Sequence, residues 1–417
     1  MLKNKYSTLV VLGVLSALLV CTGFNSLAAS VKITVGVGGW AVEDTKRAVE
    51  ELKFTEKTGI EVEVVTRPGA PPEFLSQMTS AIMAGTSPYD VIDIEDEAAI
   101  SFSRAGWLED LNPLFDETFW EDWTPDMLEM VDTWHRYKGS LFRIPHNFEA
   151  QYFWYRKDLF DQMGLTPPTT WDEMVEVGKK LTKDGMWGVS DGLAMGGFLG
   201  VYMAYLTKQA GGTPYEFGEP LRVALQFIHD MMYKHKIFPV AALNKNYDAV
   251  NLDYMNDRVA MMRQWPFFYD VSRGKPDWFE EDKVVIALPP KGPDNGQSWA
   301  ASWGWVIPKT ASNKEAAKEF VKFMSSTENV PKLAKMSTWF LNSRRSVLNA
   351  VGDKGMARYL RMYSEARVIG ARPSHPRFME AKTVVEELAS AYLTNQISLD
   401  EVIRRGKEKM KTLGSSS

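Results

Sequence analysis

Residues 31–66 have the sequence VKITVGVGGWAVEDTKRAVEELKFTEKTGIEVEVVT, and they determine the class of fold. The apolar run VKITVGV predicts a strand, and the stretch from Glu43 to Lys57 predicts a helix. After a turn at Thr58-Gly59, the run IEVEVV predicts a second strand. A strand, a helix and a strand in this order form the repeating unit of an α/β sheet. The folded chain is therefore expected to open with such a sheet.

Further α/β units follow along the chain. A predicted helix with Phe74 and Met78 on one face is stopped by Gly85 and leads into the strand DVIDI. Thr170 and Glu173 form a capping box at the start of another helix. The later segments VVIALPP, WGWVIP and KEAAKEFVKFM predict two strands and a helix. After the N-terminal segment, no stretch is apolar enough to span a membrane.

The composition excludes several classes of function. A chain of 417 residues with 45% hydrophobic content can form two domains. Its formal net charge of −5 argues against a nucleic-acid partner, which would need clustered lysine and arginine. The single cysteine, Cys21, excludes disulfide bonds within the chain. The 14 tryptophans and 15 tyrosines indicate a surface that is both apolar and wet, as ligand sites are.

The N terminus has the layout of a secretory signal. Two lysines precede an apolar stretch, residues 9–21, which is followed by the small and polar segment GFNSLAAS. We therefore expect residues 1–29 to be a signal peptide and the protein to be periplasmic or otherwise extracytoplasmic. Cys21 also lies in a segment similar to a lipoprotein box, but Val20 stands where a small residue is usual. Removal of the segment is favoured over a lipid anchor at Cys21.

The segment GVGGWA, residues 36–41, fits the dinucleotide-binding fingerprint and lies between a predicted strand and a predicted helix. Taken alone, it predicts an oxidoreductase. However, Trp40 places bulk where a pyrophosphate needs close approach to the backbone, and an exported protein meets little free nicotinamide cofactor. A tight turn at the carboxyl edge of the sheet, where α/β folds bind ligands of any kind, is the preferred interpretation.

A series of segments carries a family resemblance. They are FTEKTGIEVEVV, FLSQMTSAIMAGTSPYDVIDI, AGWLEDLNPL, YKGSLFRIPHNFEAQYFWYRKDLFDQMGLTPPTTWDEM, NDRVAMMRQWPF, ALPPKGP, SWGWVIPKTASNKEAAKEFVKFMSS and ARPSHPRF. In this order and spacing they resemble the family 1 extracellular solute-binding proteins of bacterial ABC importers, the group that includes maltose- and trehalose-binding proteins. The resemblance covers nearly the whole chain after the signal segment.

The resemblance implies an α/β fold of two lobes, the type II periplasmic-binding-protein fold, with each lobe a mostly parallel sheet flanked by helices. The N-terminal lobe is expected to comprise residues 30–146 and 300–345, and the C-terminal lobe residues 147–299 and 346–414, with a flexible tail at 415–417. Ligand binds in the cleft between the lobes, which close about a hinge. The implied function is capture of a neutral sugar or polyol for the permease subunits of an ABC importer, by a monomer without cofactor, metal or catalytic activity.

A sugar site needs aromatic plates for the ring faces, with carboxylates, amides and arginines for the hydroxyls. By the resemblance, Trp265 and Trp303 stack on the sugar and Glu149 accepts its hydroxyls. Arg372, in the RP motif, offers a rigid fork to two sugar oxygens. The other predicted ligand-binding residues are Trp40, Glu43, Asp96, Glu97, Asn147, Tyr202 and Phe267, with Glu95, His146, Tyr205 and Tyr269 beside them. Core packing is the alternative for the tryptophans, and a structural ion pair is the alternative for Arg372.

Several acids among tryptophans also describe a glycosidase cleft, in which two carboxyl groups act as acid and as nucleophile or base. The sequence contains no HExxH, GxSxG or P-loop motif, and its 5 histidines lack metal-ligand spacing. Binding without catalysis is therefore predicted. The alternatives are a glycoside hydrolase and a binding protein for a solute other than a sugar.

Overall fold

A computed structural model describes residues 31–69, 71–280 and 283–414, without the side chains of residues 71 and 72. The predicted signal peptide, the question of a lipid on Cys21 and the predicted tail lie outside this part of the chain. Among the described residues, no helix has both the length and the apolar character that a membrane crossing requires.

The strands and helices alternate along much of the chain. The strands are β1 Lys32–Val37, β2 Glu61–Thr66, β3 Val91–Glu95, β4 Arg136–Tyr137, β5 Ser140–Leu141, β6 Ile144–Pro145, β7 Glu149–Ala150, β8 Tyr152–Tyr155, β9 Trp187–Ser190, β10 Val259–Gln264, β11 Val285–Ala287, β12 Ser298–Ala301, β13 Trp303–Val306 and β14 Ile369–Ala371. The helices are α1 Val42–Glu51, α2 Phe54–Thr58, α3 Pro71–Met83, α4 Asp96–Arg104, α5 Glu117–Glu121, α6 Pro125–Trp134, α7 Lys157–Met163, α8 Trp171–Leu181, α9 Phe198–Gln209, α10 Glu219–His229, α11 Tyr247–Met255, α12 Phe267–Arg273, α13 Lys314–Ser325, α14 Val330–Met336, α15 Arg345–Val351, α16 Gly355–Glu365, α17 Phe378–Leu393 and α18 Leu399–Gly414.

The first sheet has the strand order β2-β1-β3-β13-β6. Strand β1 is parallel to β2 and to β3, while β13 is antiparallel to both β3 and β6. Ile33, Val35 and Val37 are fully buried, as the two-residue period of a strand with one face on the core requires. The α/β opening predicted from residues 31–66 is confirmed.

The predicted single helix from Glu43 to Lys57 is wrong in one respect, because the chain forms two helices, α1 and α2. Lys53, between them, has the left-handed φ of 57°. This turn directs Phe54 into the core, where its ring packs edge-on against Phe320 at 5.4 Å and Phe323 at 5.1 Å. Burial of a large aromatic side chain thus offsets the cost of a left-handed non-glycine residue.

The second sheet has the strand order β11-β8-β10-β9. Strand β10 is parallel to β9, and β8 is antiparallel to β10 and β11. Every residue of β8 and β10 is buried, so this sheet is covered on both faces, as sheets in α/β folds usually are. In each of the two sheets a single strand opposes the direction of the others. Two mostly parallel sheets were predicted, and both are present.

Two chain segments cross from one sheet to the other side by side. The chain passes from β6 in the first sheet through β7 to β8 in the second, and returns from β11 through β12 to β13. Strands β7 and β12 pair antiparallel, and β14 extends this small central sheet. Nearby, the backbone N–H of Phe148 donates to the carbonyl of Leu341 at 2.9 Å. A third segment therefore lies against the first crossing.

Candidate functional site

A cavity of about 790 Å³ lies where the two sheets and the crossing segments meet. Its wall combines the turn after β1, the end of β3 with the start of α4, and the β12–β13 junction with residues from α9, α11, α12 and α17. Eight of the predicted ligand-binding residues line it: Trp40, Asp96, Glu97, Glu149, Trp265, Phe267, Trp303 and Arg372. The wall therefore joins residues that are far apart in the sequence.

One side of the cavity is a cluster of three tryptophans, Trp40, Trp303 and Trp339. The ring centroid of Trp303 lies 5.4 Å from that of Trp40 and 5.4 Å from that of Trp339, with the planes inclined. Trp40 and Trp339 are 6.5 Å apart in a T-shaped arrangement. Trp40 nevertheless remains 53% exposed. A large aromatic surface is therefore available to a molecule in the cavity.

The opposite side carries Trp265, Phe267 and Tyr247. Trp265 follows directly after β10, and its ring packs edge-on against Trp299 at 5.5 Å. Phe267 begins α12, and Tyr247 begins α11. Because these elements belong with the second sheet and the tryptophan cluster adjoins the first, a bound molecule would have an aromatic wall on each side.

The polar part of the wall centres on Arg372. Its Nη2 donates to Asp96 Oδ1 at 2.5 Å and its Nη1 to Glu97 Oε1 at 2.5 Å, with all three side chains largely buried. The fork that was predicted to bind two sugar oxygens therefore holds two protein carboxylates, so the structural ion pair is present. Among the described residues, Nε of Arg372 and Oδ2 of Asp96 are buried without a partner. These two atoms therefore have unused hydrogen-bonding capacity.

Lys382 completes this charged network from α17, donating to Glu97 Oε2 at 2.5 Å. Burial acts to raise the pKa of Glu97, but the positive charges of Arg372 and Lys382 outweigh it and lower that pKa. Glu97 is therefore ionised at neutral pH. Its negative charge is balanced within the protein.

Glu149 and Glu95 differ from Asp96 and Glu97 in that no ion pair balances their charge among the described residues. Glu149 lies on β7 opposite Ala301 of β12, and burial, reinforced by the charges of Asp93 and Asp96, raises its pKa to about 8. Burial, with the neighbouring Glu97 and Asp96, raises the pKa of Glu95 to about 7. Both carboxyl groups can therefore hold a proton near neutral pH, when they act as donors as well as acceptors.

The turn that fits the dinucleotide fingerprint contributes Trp40 to the cavity wall. A methyl group placed on Gly38 would lie 2.4 Å from the Trp40 ring, so the indole fills the space above this glycine. Close approach of a pyrophosphate to the backbone is blocked there. The turn is thus a wall of the cavity at the carboxyl edge of the first sheet, in agreement with the preferred interpretation.

The profile of the family described as bacterial extracellular solute-binding protein matches residues 40–331. This match spans more than half of the chain and includes both crossings, Trp40 and Trp303 of the tryptophan cluster, and Trp265 on the opposite side. The chain belongs to this family of solute-binding proteins.

Relatives of this solute-binding protein agree with the assignment. It is 24% identical over 377 residues to a mannitol-binding protein of Pseudomonas aeruginosa, covering 80% of this chain and 82% of the relative. It is 24% identical over 324 residues to an erythritol/L-threitol-binding protein of Mycolicibacterium smegmatis, covering 71% and 67%. Among solved structures, maltose-bound MalE3 of T. maritima superimposes with a TM-score of 0.75 at 26% identity, covering 92% of this chain and 100% of that one. The two-lobed fold is shared.

Three predicted ligand-binding residues of this solute-binding protein do not line the cavity. Glu43 has 86% of its side chain exposed and pairs with Lys46, because the start of α1 turns it to solvent. Asn147 is fully buried, and its Oδ1 accepts from the backbone N–H of Trp303 at 2.7 Å. Tyr202 is buried in α9, with Arg263 5.2 Å from its ring. Asn147 thus joins two crossing segments, and Tyr202 packs inside its lobe.

Of the neighbouring candidates, Glu95 lines the cavity, whereas His146, Tyr205 and Tyr269 do not. His146 is buried against Trp305, with Nε2 2.8 Å from Asp93 Oδ1. Trp305 shares β13 with Trp303, but it is fully buried and belongs to the core. The alternative of core packing therefore holds for Trp305 and not for Trp303.

Several wall residues were not predicted from the sequence. Trp339 completes the tryptophan cluster, and Ser337 and Thr338 precede it. The hydroxyl of Ser337 donates to Asp44 of α1 at 2.6 Å, and the hydroxyl of Thr338 donates to Asp270 of α12. This short segment therefore touches carboxylates from both sides of the cavity. Its sequence, STW, has no periodicity that would have drawn attention to it, although an isolated tryptophan in a loop is a usable signal.

Proposed function

We propose that this protein is the extracytoplasmic binding component of an ABC importer and that it captures a sugar or a polyol. The observation that carries the proposal is the cavity between two aromatic walls, Trp303 on one side and Trp265 on the other, with carboxyl groups at its base. Aromatic faces suit the C–H faces of a sugar, and carboxyls suit its hydroxyls. The names of the mannitol- and erythritol/L-threitol-binding relatives support a polyhydroxylated solute.

We propose that the lobes are residues 30–146 with 300–345 and residues 147–299 with 346–414. The first sheet takes its strands from 32–145 and 303–306, and the second from 152–287, which supports these boundaries. Rotation about β7 and β12 would bring the two aromatic walls onto the solute, as in the hinge closure of two-domain binding proteins. Membrane permease subunits would then receive the closed form from a monomeric binding protein.

The proposal includes export to the periplasm or an equivalent extracytoplasmic space through removal of residues 1–29. Membership of an extracellular solute-binding family supports this location. Mass spectrometry of the protein purified from its native host would test it. The expected result is a mature chain that begins near Ser30 and lacks Cys21, whereas a lipid-modified N-terminal Cys21 would show that the protein is anchored.

We further propose that the protein does not catalyse a reaction on its solute. A glycoside hydrolase would need an acid and a nucleophile or base around the bound sugar, and Glu149 has the raised pKa of an acid. Incubation with the tightest-binding oligosaccharide should give no cleavage products. Turnover that is abolished by Glu149→Gln would refute binding without catalysis.

A thermal-shift screen over sugars and polyols would identify the solute, because a ligand that binds only the folded state raises its melting temperature. We expect a dissociation constant on the order of a micromolar, equivalent to about 8 kcal/mol. Trp265→Ala and Trp303→Ala should each weaken binding by more than about tenfold, or about 1.4 kcal/mol, without unfolding the protein. Unchanged affinity in both variants, measured by calorimetry, would refute the proposed site.

A further inference from the structure

The charges on the cavity wall are strongly unequal. Among the residues that the structure describes, seven carboxylate side chains line the cavity, against two cationic ones. The carboxylates are Asp44, Glu95, Asp96, Glu97, Glu149, Asp248 and Asp270, and the cations are Arg372 and Lys382. The ionised acids repel an anionic solute and attract a cationic one. A bound cation also favours the ionised forms of Glu95 and Glu149, which can hold a proton in its absence.

Both cations are already paired, and of the remaining acids Asp44 is paired with Arg47 of α1 at 2.6 Å. Arg372 holds Asp96 and Glu97, and Lys382 holds Glu97. Within the part of the chain that the structure describes, the carboxyls of Glu95 and Glu149 make no ion pair. The strongest charges acting on Glu149 are those of two further acids, Asp93 and Asp96.

Two arginines, Arg67 and Arg143, lie behind the wall and keep their positive charge, because a hydrogen bond to a neutral carbonyl does not cancel it. Arg67 donates to the carbonyls of Asp93 and Pro68, each at 2.8 Å. Arg143 donates through Nη1 to the carbonyls of Ile94 at 3.1 Å and Ser302 at 3.2 Å. They lower the negative potential near Glu95 but do not line the cavity. Among the described residues, Arg372 and Lys382 are therefore the cationic side chains that line the cavity itself.

Two independent features of the cavity indicate a ligand that carries a positively charged group. Asp96 is only 1% exposed, yet its Oδ2 has no hydrogen-bond partner among the described residues. A buried acceptor is therefore unsatisfied unless a ligand donates to it. In addition, Glu95 is the cross-strand partner of Trp303, which places a carboxylate beside the tryptophan cluster. A carboxylate with several aromatic faces is the chemistry that recognises an ammonium group.

We propose that the preferred solute carries a protonated amine, so that an amino sugar or amino polyol binds more tightly than the neutral parent with the same skeleton. This inference rests on the proposed function, because it refines which sugar or polyol the same cavity holds. An ammonium group offers three hydrogen-bond donors and no acceptor, which matches a wall rich in carboxylate acceptors. The hydroxyls of the same solute still meet the aromatic and polar groups that serve a neutral sugar.

The test uses matched sets of solutes that differ in one substituent. For each of several hexoses and hexitols, calorimetry compares the parent alcohol, its amine, the N-acetylated amine and the corresponding carboxylic acid. We expect the amine to bind at least about tenfold more tightly than the parent, a difference of about 1.4 kcal/mol. Acetylation should remove this advantage because it removes the charge, and the acid should be the weakest of the set.

Substitutions of single glutamates would show which side chains cause the preference for an amine. Glu149→Gln and Glu95→Gln keep the shape of the side chain but cannot ionise in response to a bound cation, so each should reduce the ratio of amine to parent affinity. Glu43→Gln is the matched control, because Glu43 is exposed outside the cavity, and it should leave the ratio unchanged. The comparison of solutes on the wild-type protein stands even if a variant fails to fold.

The outcomes separate the two proposals. Parents that bind as tightly as their amines would overturn the inference and leave the proposed function intact. An amine preference that persists unchanged in both glutamine variants would overturn the assigned location. If no member of any set binds, the proposed function itself fails, and the inference fails with it.

Discussion

Replacing Arg372 with methionine should destabilise the protein by about 3–5 kcal/mol, because it leaves buried carboxylates without their cation. The side chains of Arg372 and Asp96 are 4% and 2% exposed, and that of Glu97 is 11% exposed. Lys382 still compensates the charge of Glu97, so Asp96 is the buried carboxylate that is left without a cation. Methionine preserves most of the volume of the arginine stem, so little of the effect should come from lost packing.

Urea unfolding, monitored by tryptophan fluorescence and circular dichroism, would measure this loss. Lys409→Met is the matched control, because Lys409 pairs with Glu387 at the surface with both side chains about half exposed. It should cost no more than about 1 kcal/mol. Adding Asp96→Asn to Arg372→Met should recover most of the stability, since Glu97 keeps Lys382 as its partner and Asp96 no longer carries an uncompensated charge. A cost below about 1 kcal/mol for Arg372→Met alone would refute the closed ion-pair network.

Three further outcomes are expected. The pKa of Glu149 is raised to about 8, so its contribution to stability is fully present below the ordinary value near 4.5 and is lost as the pH rises through 8; Glu149→Gln should therefore gain stability relative to wild type between these values, and parallel pH profiles would contradict the assignment. Trp339→Ala should weaken solute binding by about tenfold or more, because it opens the tryptophan cluster, and calorimetry with unchanged affinity would exclude this residue from the site. Gly188→Ala should destabilise the fold by about 1–3 kcal/mol, since its methyl would lie 2.4 Å from the carbonyl oxygen of Gly178; an unfolding midpoint equal to wild type would show that α8 can move away from β9.

Features set by local sequence were predictable. The predicted cap at Thr170 and Glu173 is present, with the Glu173 N–H donating to Thr170 Oγ1 at 3.2 Å. The reciprocal bond to Glu173 Oε2 comes from the N–H of Thr169, one residue before the N-cap, at 2.7 Å. The break at Lys53 was not predictable, because its cause is the burial of Phe54 against α13, which is remote in the sequence. Local patterns carry information about caps and periodicity, whereas long-range packing decides where a helix must turn.

In the candidate site, too, some residues were predictable from the sequence and others depended on the fold. The family resemblance supplied Trp265, Trp303 and Glu149, and all three line the cavity. Glu43 lies outside while its neighbour Asp44 lines the wall, because successive residues of a helix point about 100° apart. The sequence does not show which face of α1 is buried, so it could not decide which of these two neighbouring acids lines the cavity.

Ion pairs between residues far apart in the chain could not be predicted from the sequence either. Glu97 and Lys382 are separated by 285 positions, yet their contact decides that Glu97 is balanced while Glu149 is not. The charge imbalance of the cavity is therefore a property of the folded chain. This imbalance would favour a solute that carries a protonated amine.

A crystal structure of the protein with its tightest-binding solute would test the central claim most directly. The solute should lie in the cavity between Trp303 and Trp265, with a polar atom about 3 Å from the carboxyl group of Glu149. A solute bound at another surface, or bound in the cavity without contact to either tryptophan, would contradict the proposed site.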